Sequence, residues 1–279
     1  MDGLKLAYVV VFLLLTACGG GGGGGGSSSP PTNPPPGGGT VSLSGKIEKG
    51  PFVAGERVTV SSVSARGAIG VQLATTTTSN DLGTYSLSIN PSQTVLINGR
   101  GSFLDETDGT VSTDTLSLDA VVQVSSAASQ SANVNILTHL AAPRFLALLQ
   151  GGSSAASADT HSRDVLLAAI TSIVAPPSIN SLRAASLYSP TQGDLESAYL
   201  VTLSAFFVDR AHQLAEQNGT EVYAELQELV DAVARDLADG EIDFSDAIVG
   251  VRDMAYSVNP EIVASNLADL ATAQGSSEF

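Results

Sequence analysis

The chain has 279 residues and a mass of 28.3 kDa, with 12 Lys+Arg against 28 Asp+Glu, three His and one Cys. That length supplies ample core for one or two domains, while a net charge of −16 excludes nucleic acid, whose phosphates need a basic face. One cysteine excludes a disulfide framework, a thiolate zinc site and a c-type haem attachment, and a mean hydropathy of +0.21 with 14% charged residues excludes a disordered acidic chain.

The first seventeen residues read as a signal peptide. Lys5 precedes an apolar run from Leu6 to Leu15, and Thr16-Ala17-Cys18 closes it. A bilayer span needs about 20 apolar residues, so this run fits the apolar centre of a signal peptide instead. Leu15-Thr16-Ala17-Cys18 resembles the lipobox of bacterial lipoproteins. The resemblance implies cleavage before Cys18, a covalent lipid on its sulfur and a further acyl group on its amine. One acyl chain holds marginally, at roughly 0.8 kcal/mol per buried methylene, and two or more hold stably. By the same resemblance, Gly rather than Asp at position 19 favours the outer membrane.

Residues 18–40 read as the cysteine that the resemblance implies is lipidated, followed by its tether. Gly19 to Gly26, three serines, the prolines between Pro30 and Pro36, and Gly37 to Gly39 carry eleven of the 28 glycines and no charge. Such a segment cannot pack a core, and as a coil it spans roughly 25 Å. It is similar to the tethers of lipoproteins displayed on Gram-negative surfaces, so surface exposure is favoured over the periplasm.

From Val41 the chain alternates polar and apolar residues at period two, the pattern of half-buried strands. Strands are expected over 41–45, 57–60, 72–78, 84–89, 95–97 and 116–124. The turn Ser79-Asn80-Asp81-Leu82-Gly83 predicts a hairpin between its flanking strands. Residues 41–132 therefore read as a small β-sandwich.

Several motifs in this stretch carry a family resemblance. Gly45-x-Ile47, Gly50-Pro51-Phe52, Gly55, Val58-x-Val60 and Asn80-Asp81-x-Gly83-x-Tyr85-x-Leu87 resemble the carboxypeptidase-regulatory-like, transthyretin-type sandwich. Gly99-x-Gly101-x-Phe103-x-Asp105-Glu106-Thr107-x-Gly109, Leu116-x-Leu118-x-Ala120, and the run from Asn133 to Leu140 with Arg144 narrow it. Together they are similar to bacterial exported lipoproteins that join such a sandwich to a helical C-terminal region. The resemblance covers residues 41 to 150 and implies architecture and export more than activity.

The period then shifts toward 3.6. Val134, Leu137, Leu140, Ala141, Phe145, Leu148 and Leu149 share a face, with Pro143 predicting a kink or a helix that starts there. Further helices are expected over 164–175, 194–216, 220–240 and 246–256. Thr220 is the expected N-cap of the fourth and Gly240 its stop. Asn259-Pro260 opens the last. Residues 133–274 thus read as an acidic helical bundle, and 275–279 as a disordered tail. The expected fold class is α+β with the two parts as separate domains. Residues 41–132 hold eight acids against five bases, and 133–279 nineteen against six. That excess reads first as a solvated face and second as a surface for cations or basic partners.

Little in the sequence carries chemistry. Asp236, Asp239, Glu241 and Asp243 around Gly240 are weak calcium candidates, since an EF-hand register would place Arg235 and Leu237 at ligand positions. Asp105, Glu106 and Asp108 before Gly109 form a second acidic turn. His139, His161 and His212 are scattered, without zinc-site spacing, and His139 is expected to pack or hydrogen-bond at the domain junction. No G-x-S-x-G elbow, P-loop or dinucleotide fingerprint occurs. The expected function is a lipid-anchored, non-catalytic binding or adhesion module with no cofactor beyond the lipid. Its partners are the membrane and an unknown envelope protein or extracellular ligand. The alternatives are a periplasm-facing assembly accessory and a hydrolase with an unrecognised site in the helical half.

Overall fold

A computed structural model describes residues 39–171, 183, 185–187, 195–241, 246–254 and 257–275. The expected signal peptide, Cys18 and the expected lipobox residues Leu15, Thr16 and Ala17, Asp243, and the last four residues lie outside them. The described part is strand-rich in its first half and helical in its second. Residues 38–279 cluster as one compact unit.

Two four-stranded sheets form the first half. In one, β1 (Val41–Glu48) pairs antiparallel with β4 (Thr84–Ile89) on one side, and parallel with β9 (Ser129–Ser131) and β10 (Val134–Asn135) on the other. In the other, the order is β3 (Ile69–Thr77), β2 (Arg57–Val63), β5 (Gln93–Gly101), β8 (Leu116–Val124), all antiparallel. A small hairpin, β6 (Leu104–Asp105) with β7 (Thr110–Val111), lies between β5 and β8 in the chain. Alternation sets the faces of the second sheet. Val58, Val60, Val95, Ile97, Leu118, Ala120 and Val122 enter the main core, whereas Leu96 and Val121 turn to the opposite face.

The turn at 79–83 forms as its residues dictate, but it does not make a hairpin. Asn80 Oδ1 accepts from the amides of Leu82 and Thr84, and Gly83 adopts a φ of +71°. A Cβ at Gly83 would sit 2.3 Å from the Ile47 carbonyl oxygen, so glycine is required twice over. The strands it joins belong to different sheets, because β4 pairs with β1 and β3 with β2. The turn carries the chain from one sheet to the other.

Among the described residues six helices follow: α1 (Ile136–Gln150), α2 (Ala155–Thr171), α3 (Leu195–Asn218), α4 (Val222–Asp236), α5 (Asp246–Asp253) and α6 (Pro260–Ala273). α1 starts at Ile136, not at Pro143. Asn135 caps it by accepting from Thr138 N at 2.9 Å, while the Thr138 hydroxyl accepts from Asn135 N at 2.9 Å. Pro143 lies inside the helix. The N-cap of α4 is Glu221 rather than Thr220, whose hydroxyl is drawn to Glu225 Oε1 at 2.6 Å. Asn259 and Pro260 open α6 as expected, with Asn259 Oδ1 accepting from Glu261 N and Ile262 N.

No break in packing falls at residue 132, where a domain boundary was expected. One buried cluster runs from Val41, Leu43 and Val60 through Leu140 and Leu203 to Leu226 and Leu267. α1 explains the continuity. Its Phe145 and Leu149 pack with Leu96 and Val121, so the helix covers the outer face of the second sheet.

Candidate functional site

Among the described residues, a connected group of buried polar side chains lies where the strands meet α3. After β1, Lys49-Gly50 turns the chain, and Phe52 bridges to Phe103. A Cβ on Gly50 would sit 1.6 Å from the Leu104 carbonyl oxygen, so only glycine lets the two backbones approach this closely. In the β6–β7 hairpin, Asp105 Oδ1 accepts from Thr107 N at 2.9 Å and from its hydroxyl at 2.6 Å. These contacts hold the Asp105-Glu106 pair inward, and both residues are fully buried.

Lys49 is also fully buried and donates to Glu106 Oε1 at 3.0 Å and Oε2 at 2.8 Å. Its ammonium lies 5.1 Å from the centroid of the Phe103 ring, which stands edge-on to Tyr223 at 5.3 Å. From α3, the Ser204 hydroxyl donates to Glu106 Oε1 at 2.5 Å and contacts the Lys49 carbonyl oxygen. Beside this group, Glu48 accepts from the Ser186 hydroxyl at 2.8 Å and from Leu187 N at 3.2 Å. Asp105 Oδ2 faces His212 Nε2 at 3.5 Å and the Tyr223 hydroxyl at 3.4 Å.

Burial disfavours the charged form of each of these groups and is answered differently at each. It pushes the Glu106 carboxyl up despite the attraction of Lys49. At Asp105 burial works in the same direction, but the bonds from His212 and Thr107 and the charge of Lys49 outweigh it. They hold Asp105 well below the usual carboxylate range. The hydrogen bond to Asp105 raises His212 above an ordinary imidazole against its partial burial, helped by the charges of Asp108 and Asp209. Burial also pushes Tyr223 up to about 12.

Serine, lysine, carboxylates and histidine thus share one cluster, and sequence spacing did not reveal it. Ser204 lies 155 residues from Lys49, and Glu106 lies 57 residues from it. The Ser204, Lys49 and Glu106 side chains have no exposed surface, so a substrate has no route to them. His212, 42% exposed, is the member that meets solvent.

His139 packs and hydrogen-bonds where α1, α4 and the second sheet meet. Its Nδ1 accepts from Asp119 N at 3.2 Å, which leaves the proton on Nε2 for Asp231 Oδ1 at 3.0 Å. Burial would raise Asp231, but the bonds from His139 and Gln227 and the nearby positive charge of Arg235 together outweigh it and lower the carboxyl. A cavity of about 160 Å³ opens beside the pair, lined by Ile69, Leu96, Pro143, Leu146 and Ala234 among others. His161 lies elsewhere, on α2, where its Nδ1 meets the Ser157 carbonyl oxygen at 2.8 Å. A second cavity of about 250 Å³, between α3 and α6, is mostly apolar, with Val201, Phe206, Val263 and Leu267 in its walls.

The acidic turns are occupied by the protein itself. At the end of α4, Arg144 Nη1 donates to the carbonyl oxygens of Ala238 at 3.2 Å and Asp239 at 2.7 Å. Asp239 Oδ1 accepts from Glu241 N at 2.8 Å. Asp236 keeps one buried oxygen without a hydrogen-bond partner among the described residues. In the other turn, Asp108 accepts from Thr110 N at 2.8 Å and from its hydroxyl at 2.7 Å. Among the described residues, no group of three or more His, Cys, Asp or Glu side chains is arranged to hold a metal. No described helix is long and apolar enough to cross a membrane.

No protein-family model matches the sequence, and neither a curated protein nor a solved structure is significantly similar to it.

Proposed function

We propose that this is a lipid-anchored protein of the bacterial outer membrane, acting as a non-catalytic binding or adhesion module, with surface display favoured over the periplasm. The observation that carries the reading is the order of the N-terminal residues. Lys5 and an apolar run lead to Leu15-Thr16-Ala17-Cys18, and an uncharged Gly/Ser/Pro stretch then runs to the start of the compact unit at Gly38. The acyl chains fix location, the tether supplies reach, and the folded unit meets the partner. In this reading the two sheets form a transthyretin-type sandwich and the helices an acidic bundle. Closure of the Ser204–Lys49–Glu106 cluster to solvent supports the non-catalytic reading. The partner is an envelope protein or an extracellular ligand.

Replacing the acylated sulfur tests the anchor. Cys18→Ser is expected to move the protein from the membrane fraction to the soluble one and to abolish incorporation of labelled palmitate. Membrane retention equal to the parent's would overturn the anchor. Protease added to intact cells then decides the face: cleavage supports display, whereas protection until permeabilisation transfers the protein to the periplasm as an assembly accessory.

A further inference from the structure

We propose that Lys49 and Glu106 are joined in the mature protein by an amide bond between the lysine Nζ and the glutamate Cδ. The nitrogen lies 2.8 Å and 3.0 Å from the two carboxylate oxygens, and neither side chain has any exposed surface. Two reactive groups fixed at contact distance have effective concentrations of about 10⁵ M or more, far beyond what free amines and acids reach. Water, which holds such condensation back in solution, does not reach the pair, and the Phe103 ring, with Phe52 at 6.1 Å and Tyr223 at 5.3 Å from it, lies 5.1 Å from the Lys49 nitrogen.

The step balances with no other reactant. In a dry pocket the ammonium passes one proton directly to Glu106 Oε2, giving a neutral amine and a neutral acid. Burial already raises the Glu106 carboxyl, which favours that form. The Nζ lone pair then adds to Cδ, and the charge that builds on Oε1 meets the Ser204 hydroxyl at 2.5 Å. The Cδ–Oε2 bond breaks, and the departing oxygen leaves as water with a proton taken from Nζ. Ammonium and carboxylate become one secondary amide and one water. Ser204 is a positioning residue that polarises the oxygen retained in the product.

Such a bond would staple the turn after β1 to the β6–β7 hairpin in a chain whose one cysteine cannot form an internal disulfide. It also has a distinct readout. Trypsin cuts after Lys46, Arg57, Arg100 and Arg144, but not after a lysine whose Nζ is acylated. Digestion of the folded, full-length protein after denaturation is therefore expected to yield one branched species. It would contain residues 47–57 joined to residues 101–144, lighter by one water than the two together. Lys49→Arg and Glu106→Leu should each abolish it, and Ser204→Ala should lower its yield at a fixed time after synthesis. Recovery of residues 47–49 as a free tripeptide, with residues 101–144 unlinked, from native-folded wild-type protein would overturn the proposal. That measurement needs no variant to fold.

Discussion

Asp105 and His212 show how a buried carboxylate is tolerated in this fold and when it ceases to be. His212 has its ionisation raised by Asp105, so its contribution is fully present below the unfolded imidazole value, about 6.5, and is lost as pH rises through the folded value. Asp105 is depressed, so its contribution is present above about 3.9 and is lost as pH falls through its folded value. The two overlap from about pH 4 to about pH 6.5. The melting temperature of wild type minus that of His212→Ala is expected to be largest in that window and to shrink above it. A difference that stays flat from pH 5 to pH 9 would show that the ion pair contributes nothing. The sequence reveals Asp105 and Glu106 as an acidic turn, and it reveals the turn correctly. It cannot show that one acid faces a lysine and the other a histidine. Those partners lie on distant elements, and nothing local distinguishes an inward carboxylate from a solvated one.

Among the elements, the strands and helices with strong periodicity are legible, because burial on one face writes period two or 3.6 into the chain. β4, β8, α3 and α4 lie where alternation puts them. β9 and β10 escape because they are two or three residues long and gain their status by pairing with β1, not from a pattern of their own. The caps divide in the same way. Asn135 and Thr138 bond reciprocally, whereas Thr220 bonds Glu225 and caps nothing. Asn135→Ala is therefore expected to cost about 0.5–2 kcal/mol, the usual loss of an N-cap. Thr220→Ala should stay within about 0.5 kcal/mol, as substitutions away from such features do. Chemical denaturation of both variants checks the pair, and an equal loss in the two would contradict the capping assignment.

At the scale of the whole molecule, the shift from strand to helix near residue 133 is real but does not divide the core. Sequence composition marks a change of element type there, and a change of element type is easily read as a domain boundary. What fills the boundary is tertiary: α1 lies on the second sheet, Glu48 reaches Ser186 and Leu187, and Ser204 reaches Glu106. One cooperative unit should unfold in one step. Calorimetry is expected to show a single transition whose calorimetric and van't Hoff enthalpies agree. Residues 41–132 expressed without the helices should lack the dispersed amide resonances of a folded domain. Two resolved transitions, or a folded fragment, would restore the boundary at 132.

The position of β1 has a consequence for time as well as space. It is the first of the described strands to leave the ribosome, yet its parallel neighbours are not made until residue 135, and the groups that meet Glu48 and the Lys49 carbonyl oxygen not until residues 187 and 204. The beginning of the folded unit therefore stays open until most of the chain has been synthesised. In the proposed lipoprotein, such a nascent chain would remain threadable for longest at the end that crosses the membrane first.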